Sequence, residues 1–498
     1  MIKKTLALLT LAASTLATPI FTQELAPIYG QAHIDGVTDP RVHNSYIVVL
    51  KDGVETSSHL NTLAHSLSKR SGAGRFGHIY NLDHAGDSIF NGYSLHDVDE
   101  DAVHLLRANP EIDHIERDSI AHTQDIYQGL DEVSDLAETF DADSPATQKG
   151  APWGLARISH HNPLSLSTFN KYVYDPHGGE GVNVYIVDTG INTAHVEFEG
   201  RAHWGKTMPM GDVDEDGNGH GSHCAGTIGS RKYGVAKKAQ LYAVKVLGSA
   251  GSGTMSDVVA GVLWAAQDAK SKADAAAEEL RQTGSTSHKG SVANMSLGGG
   301  KSPALDRAVD KAVESGLAFA VAAGNDNRDA CEYSPAASQK AVTVGASTLW
   351  DERAYFSNVG KCVDIFAPGL NILSVWNSGP NSINTISGTS MASPHTAGAL
   401  AYLLSLHANA AHKSFANSVS QEMYDTGIKT VLDTIGGLLP GWLDWFKPKP
   451  SAPLPPTPEP ISPAFLKQSL LELAGRGLLT DVEQGSPNLL LFNNATSA

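Results

Sequence analysis

Residues 182–190 run Val182-Asn183-Val184-Tyr185-Ile186-Val187-Asp188-Thr189-Gly190. The first six are nearly all apolar, the signature of a strand buried on both faces. An acidic residue and a glycine then end it. Leu241 to Leu247, Ala318 to Ala322 and Val342 to Val344 repeat the type. Helical stretches lie between them. Ser302-Pro303 can cap and open a helix in which Leu305, Ala308, Val309, Ala312 and Val313 share a face, and Gly316 stops it. Such alternation implies an α/β fold, a mostly parallel, doubly wound sheet with helices on both faces. Its reactive residues should gather at the C-terminal ends of the strands, where Asp188 stands.

Working outward, residues 41–122 form a separate small unit. Ser45 to Leu50, Ile89 to Val98 and Ile112 to Glu116 have strand character. Leu60, Leu63, Ala64 and Leu67 recur at helical spacing, and Ala102 to Arg107 is a second helix. That order predicts an α+β sandwich. Residues 123–148 follow with seven acidic residues and no Lys or Arg, which reads as a solvated linker. The α/β pattern covers 151–482 apart from an insertion at about 407–462. The insertion carries an apolar stretch from Ile428 to Phe446 and eight prolines between Pro448 and Pro463. An amphipathic helix is expected from Pro463 to Val482, leaving 483–498 as a tail. At the other end, Lys3 and Lys4, an apolar run from Thr5 to Leu16 and the small-residue site Thr15-Leu16-Ala17 predict a signal peptide over residues 1–17.

Composition narrows the function. The chain has 498 residues, 41% hydrophobic and 18% charged, which is globular and long enough for several domains. A net charge of −17 argues against nucleic acid as a partner. Three cysteines exclude a disulfide-built scaffold. Beyond the N-terminus no uninterrupted apolar run is long enough to cross a membrane.

Two further segments join Asp188. Asn218-Gly219-His220-Gly221-Ser222-His223-Cys224 places His220 between glycines at the start of a small-residue helix. Ser387-Gly388-Thr389-Ser390-Met391-Ala392 places Ser390 at the start of a long apolar one. A serine hydroxyl attacks an amide only when a neutral imidazole takes its proton and a carboxylate fixes that imidazole's tautomer. Taken singly, Asp188 is a strand-end residue, His220 one histidine among 21 and Ser390 a helix N-cap. Together they supply a catalytic set.

These segments resemble the Asp, His and Ser boxes of subtilisin-like serine proteases (peptidase family S8). The similarity is to the proteinase K branch and, within it, to fungal vacuolar proteases of the cerevisin type. Trp153 to Ser159 and Asn294 to Ala308 also match that group, and residues 41–122 resemble its ferredoxin-like inhibitory propeptide. The resemblance implies a secretory-pathway endopeptidase of broad specificity, made as a self-processed zymogen. It assigns Asn325, in Ala322-Ala323-Gly324-Asn325, to the oxyanion. It assigns Gly251, Ser252 and Gly253, and Ser296, Leu297, Gly298 and Gly299, to two edges that pair with substrate backbone. It implies a Cys331–Cys362 disulfide, with Cys224 left free beneath the imidazole. Polypeptide substrates and the chain's own propeptide are the expected partners of a monomer. The vacuole is the expected compartment, with the extracellular space as the alternative. No cofactor or catalytic metal is required. A structural calcium is open, because Asp364 matches a calcium-ligating aspartate of the group. Asp212, Asp214 and Asp216 mimic an EF-hand start, but His223 stands where the last ligand should be. Asn494-Ala495-Thr496 is the expected glycosylation acceptor. Cleavage of the propeptide is expected near Thr147 to Gly150.

Overall fold

The computed structural model describes residues 25–30, 41–67, 73–125, 139–141, 145–407 and 461–495. The signal peptide, most of the acidic linker and nearly all of the 407–462 insertion lie outside the described residues. Among the described residues no helix is long and apolar enough to cross a membrane.

The strand Val182–Asp188 is buried throughout and sits inside a nine-stranded sheet. From one edge the order is Ala202–Thr207, Gln240–Lys245, Val182–Asp188, Gly290–Met295, Ala318–Ala322, Val342–Ser347 and Ile365–Pro368. All neighbours among these seven are parallel. The short strands Leu489–Leu490 and Gly475–Arg476 close the far edge. The period of two divides the first strand between two cores. Val182, Val184 and Ile186 join the core that also holds Cys224, Met391 and Leu400, while Tyr185 and Val187 join the one beneath the helices Met255–Thr283 and Pro303–Glu314. Both faces are therefore covered, and the run has no polar side because neither face meets water.

The starts of these two helices have local causes. Ser302 accepts a hydrogen bond from Leu305 N–H with Pro303 next in line, and Thr254 accepts from Asp257 N–H ahead of the longest helix. The helix at Pro463–Leu473 begins as expected but ends sooner, because the chain turns at Ala474 into the strand Gly475–Arg476.

The N-terminal unit is a β-α-β-β-α-β sandwich. Its strands lie in the order Ile112–Thr123, Arg41–Leu50, Asp87–Val98 and Ala73–His84, with every neighbour antiparallel. It does not stand apart from the peptidase unit. Ile47, Val49, Tyr80, Leu82 and Phe90 share a core with the helices Met255–Thr283 and Pro303–Glu314. Polar contacts frame that core: His78 Nε2 lies 2.7 Å from Asp257 Oδ1, and Arg307 donates to Asp113 and Asp52 at 3.0 and 2.7 Å.

Two further findings differ from the sequence reading. The strand read as Ile112 to Glu116 continues to Thr123, because the peptidase unit supplies new partners for its second half. The stretch read as the end of the linker contains a strand, Ala146–Lys149, paired with Thr139–Asp141 on one side and Lys171–Tyr174 on the other.

Candidate active site

Asp188 ends the strand Val182–Asp188, His220 opens the helix His220–Gly229, and Ser390 lies in the first turn of a helix that begins at 389 and runs through 407. All three are fully buried. Asp188 Oδ1 lies 2.7 Å from His220 Nδ1, which leaves Nε2 as the ring's free acceptor; Nε2 is buried with no hydrogen-bond partner. The Ser390 hydroxyl donates to Ser296 O at 2.9 Å. To pass its proton to Nε2 it would have to turn from that carbonyl.

Two opposed effects set the imidazole. Burial pulls its pKa down, but the Asp188 carboxylate and the adjacent Cys224 outweigh burial and hold it well above the ordinary histidine value. Burial also raises the Cys224 thiol, so that group stays neutral and the carboxylate is the partner that matters. His223 and His395, equally buried but with their rings bonded to backbone carbonyls and not to a carboxylate, fall to about 3 and about 4. Burial thus keeps two neighbouring imidazoles neutral, and Asp188 singles out the third. Cys224 Sγ lies 4.0 Å from His220 Nδ1 and donates to Ser390 O at 3.5 Å, beneath the pair.

Asn325 follows the strand Ala318–Ala322. Its Oδ1 accepts from Thr389 N–H and Oγ1 at 2.9 and 2.8 Å. That fixes the amide so that Nδ2, buried and unpartnered, faces the Gly388-Ser390 turn.

The two glycine-rich edges are occupied. Residues 120–122 pair antiparallel with Ser252, Gly253 and Thr254, while Thr123 and His122 pair antiparallel with Leu297 and Gly298. Thr123 N–H donates to Gly251 O at 3.0 Å and Gln124 N–H to Ser296 O at 3.2 Å. Gly299 pairs with Ser334 on the outer side of its strand. The Gln124 carbonyl then receives the Ser390 N–H at 3.0 Å. A side chain at Gly388 would come within 2.4 Å of that oxygen, so only glycine lets this backbone through.

One residue that organises the site was read from sequence only as part of a rejected metal loop. Asp216, buried, accepts from Thr189 Oγ1, Gly219 N–H, Ser222 N–H and Ser222 Oγ. It does the work of an N-cap for the His220 helix, whose own N-cap, Gly219, has no side chain. Its place in Asp216-Gly217-Asn218-Gly219 was the available signal.

The calcium reading fails at Asp364. Its Oδ2 accepts from Lys467 Nζ and from Thr343 N–H, each at 2.8 Å. An ammonium ion already stands where a cation would, and calcium needs six to eight oxygen ligands. Cys331 and Cys362 are joined in a disulfide, and Cys224 is free. Asn294 is buried, bonded to Ser296 and Ser393, whereas Asn494 is exposed.

A carboxylate at a strand end and an imidazole and a serine at helix starts, with a peptide carbonyl held over the serine, are the parts of acyl transfer by an activated hydroxyl. The comparisons agree with that class. The family model described as "Subtilase family" matches residues 179–436, and the one described as "Peptidase inhibitor I9" matches residues 45–124. A subtilisin-like protease of Coccidioides posadasii is 48% identical over 495 residues, covering 96% of this chain and 85% of that protein. The subtilisin-like serine protease Pen c 2 of Penicillium citrinum is 47% identical over 504 residues, covering 97% and 95%. A cold-adapted subtilisin-like serine proteinase of known crystal structure matches with 38% identity and a TM-score of 0.52, over 70% of this chain and all of that one. The chain belongs to the subtilase family: it is a subtilisin-like serine endopeptidase with an I9 propeptide.

Proposed function

We propose that Ser390 is the nucleophile, His220 the general base and Asp188 the group that holds the imidazole in register. The Ser390 N–H and Asn325 Nδ2 then stabilise the oxyanion. The observation that carries this reading is the Gln124 carbonyl on the Ser390 N–H, beside a His220 already paired to Asp188. Attack gives an acyl-enzyme, which water then hydrolyses.

Broad specificity follows from how the peptide is held. The edges bond its backbone, and of the four residues before the oxyanion position only Ala121 is fully buried, in the core cluster that holds Met255 and Leu297. The enzyme is made as a zymogen that processes itself. It serves general protein degradation in the vacuole, acting as a monomer; secretion is the alternative, and assay of purified vacuoles against culture medium separates the two. Asn494 is its glycan acceptor. Casein hydrolysis that is blocked by a serine-directed phosphonyl reagent, with the label mapped to Ser390, tests the catalytic assignment. Retention of activity in Ser390→Ala would overturn it.

A further inference from the structure

We propose that the maturation cut falls within the molecule between Gln124 and Asp125, so that the strand Ala146–Lys149 stays on the mature enzyme as part of its fold. The inference rests on Ser390 being the nucleophile.

The register of the cleft-bound strand selects the bond. Three consecutive backbone bonds fix it: Thr123 N–H to Gly251 O, Gln124 N–H to Ser296 O, and Ser390 N–H to Gln124 O. The last is the one an oxyanion donor makes, and it falls on Gln124. Asp125 continues past Gly388, where a side chain would meet its Cα at 2.9 Å, so the Gln124–Asp125 peptide lies across the serine turn. Thr123 Oγ1 donates to Asp125 Oδ1 at 2.8 Å and joins the two sides of that peptide. A slip by one residue would move every side chain to the opposite face. Ala121 is fully buried, and the slip would drive Ile120 or His122 into a place that fits a methyl group.

The junction expected from sequence, Thr147 to Gly150, is held elsewhere. Ala146–Lys149 is the middle strand of three. Gln148 is fully buried, with Nε2 donating to Lys232 O at 2.9 Å, and Ala146 and Ala151 belong to the main core. To meet Ser390, this strand would have to leave both neighbours and empty part of that core. The segment that looked like the end of a linker is a structural element of the peptidase unit.

The step balances without any further reagent than water. Ser390 Oγ bonds to the Gln124 carbonyl carbon, and its proton passes to His220 Nε2. The carbon–nitrogen bond to Asp125 breaks, and that proton goes to the departing amine. Water then attacks the Gln124 ester, one proton returns through His220 to Ser390 Oγ, and the Gln124 carboxylate is left in the cleft. The propeptide is still held by both edges and by its shared core, so the first product is a non-covalent, inhibited complex.

The test is time-resolved processing of the full chain, read by intact mass and N-terminal sequencing. In parallel, phosphonyl labelling of Ser390 and hydrolysis of a small chromogenic peptide are measured. The expected result is a first new N-terminus at Asp125, a matching fragment that ends at Gln124, and a rate unchanged on hundredfold dilution. Asp125→Pro, which burdens the leaving nitrogen, should abolish that cut; the wild-type mapping stands alone should this variant not fold. If Ser390 is labelled and the peptide is hydrolysed, but the earliest N-terminus lies in 147–150 with Gln124–Asp125 intact, the inference is overturned and the catalytic assignment survives. If neither labelling nor hydrolysis occurs, the catalytic assignment falls and this inference falls with it.

Discussion

His220 shows how one neighbour decides a proton. Its burial matches that of His223 and His395, yet only His220 is held above the ordinary histidine range, because Asp188 lies 2.7 Å away. A general base must be neutral, so with His220 in that role activity should rise with pH along the acid-side limb, whose midpoint lies above the ordinary 6.5. Asp188→Asn should move that limb to lower pH and cut kcat by about 10⁴, through the lost charge and the wrong tautomer. A kcat/KM profile with its midpoint at or below 6.5 in the unsubstituted enzyme would count against the charge argument. With Asn325 in its proposed role, Asn325→Ala should lower kcat by about 10²–10³ with KM little changed, the range for which subtilisin's own asparagine is the reference case. The sequence could group Asp188, His220, Ser390 and Asn325 as candidates because each stands within two residues of a glycine in a short contiguous box. Asp216 was not so grouped, because its partners Thr189 and Ser222 come from two other segments and its neighbours Asp212 and Asp214 gave it the look of a metal loop.

Strands and helices were legible where one periodicity covered the whole element, as in Val182–Asp188 and Pro303–Glu314. They were not where tertiary partners decide. Ala73–His84 is an edge strand whose Gly, Arg and Asn residues hide any alternation, and Ala146–Lys149 is four residues with one apolar side chain. The docking of two acidic residues on two helix starts belongs to the same kind. Asp118 accepts from Ser256 N–H and Oγ at the start of Met255–Thr283, and Glu116 accepts from Ala304 N–H at the start of Pro303–Glu314. Helix N-termini favour such groups. Burial nevertheless raises Glu116 to about 7, with Asp118 and Asp306 adding to the rise, and burial raises Asp118 as well. A carboxyl whose pKa is higher when docked than when free makes the docked state bind its proton more tightly. Docking gains this contribution fully below the free value of 4.5 and loses it as pH climbs through about 7. Release of the processed propeptide should therefore quicken between these limits, and Glu116→Gln, neutral throughout, should flatten that dependence. The check is the pH course of activity appearing in the processed complex; an unaltered course in Glu116→Gln overturns it.

At the scale of the molecule, the question is what keeps an endopeptidase from consuming itself. With the broad specificity proposed above, its copies would cleave any segment that opens, so survival would depend on how often the chain unfolds and not on a single equilibrium. The Cys331–Cys362 bridge bears directly on this. It spans 31 residues of sequence, and between its ends lies Val342–Ser347, a strand of the central sheet. Cys331 follows the loop that carries Asn325, and Cys362 precedes the strand Ile365–Pro368, so opening the bridge loosens the sheet next to the oxyanion site. Closing a loop of this size contributes roughly 3–4 kcal/mol in the chain-entropy model, or about two to three powers of ten in the unfolded population. The bridge touches none of the reacting groups. Replacing both cysteines by serine should thus leave kcat/KM at zero time within about twofold, while the half-life of activity on warming falls at least tenfold. Adding a reversible active-site inhibitor during the incubation should recover much of the loss, because it stops the copies from digesting opened chains. A half-life unchanged from the parent enzyme would show that the segments the bridge joins do not open first, and that self-digestion begins elsewhere on the surface.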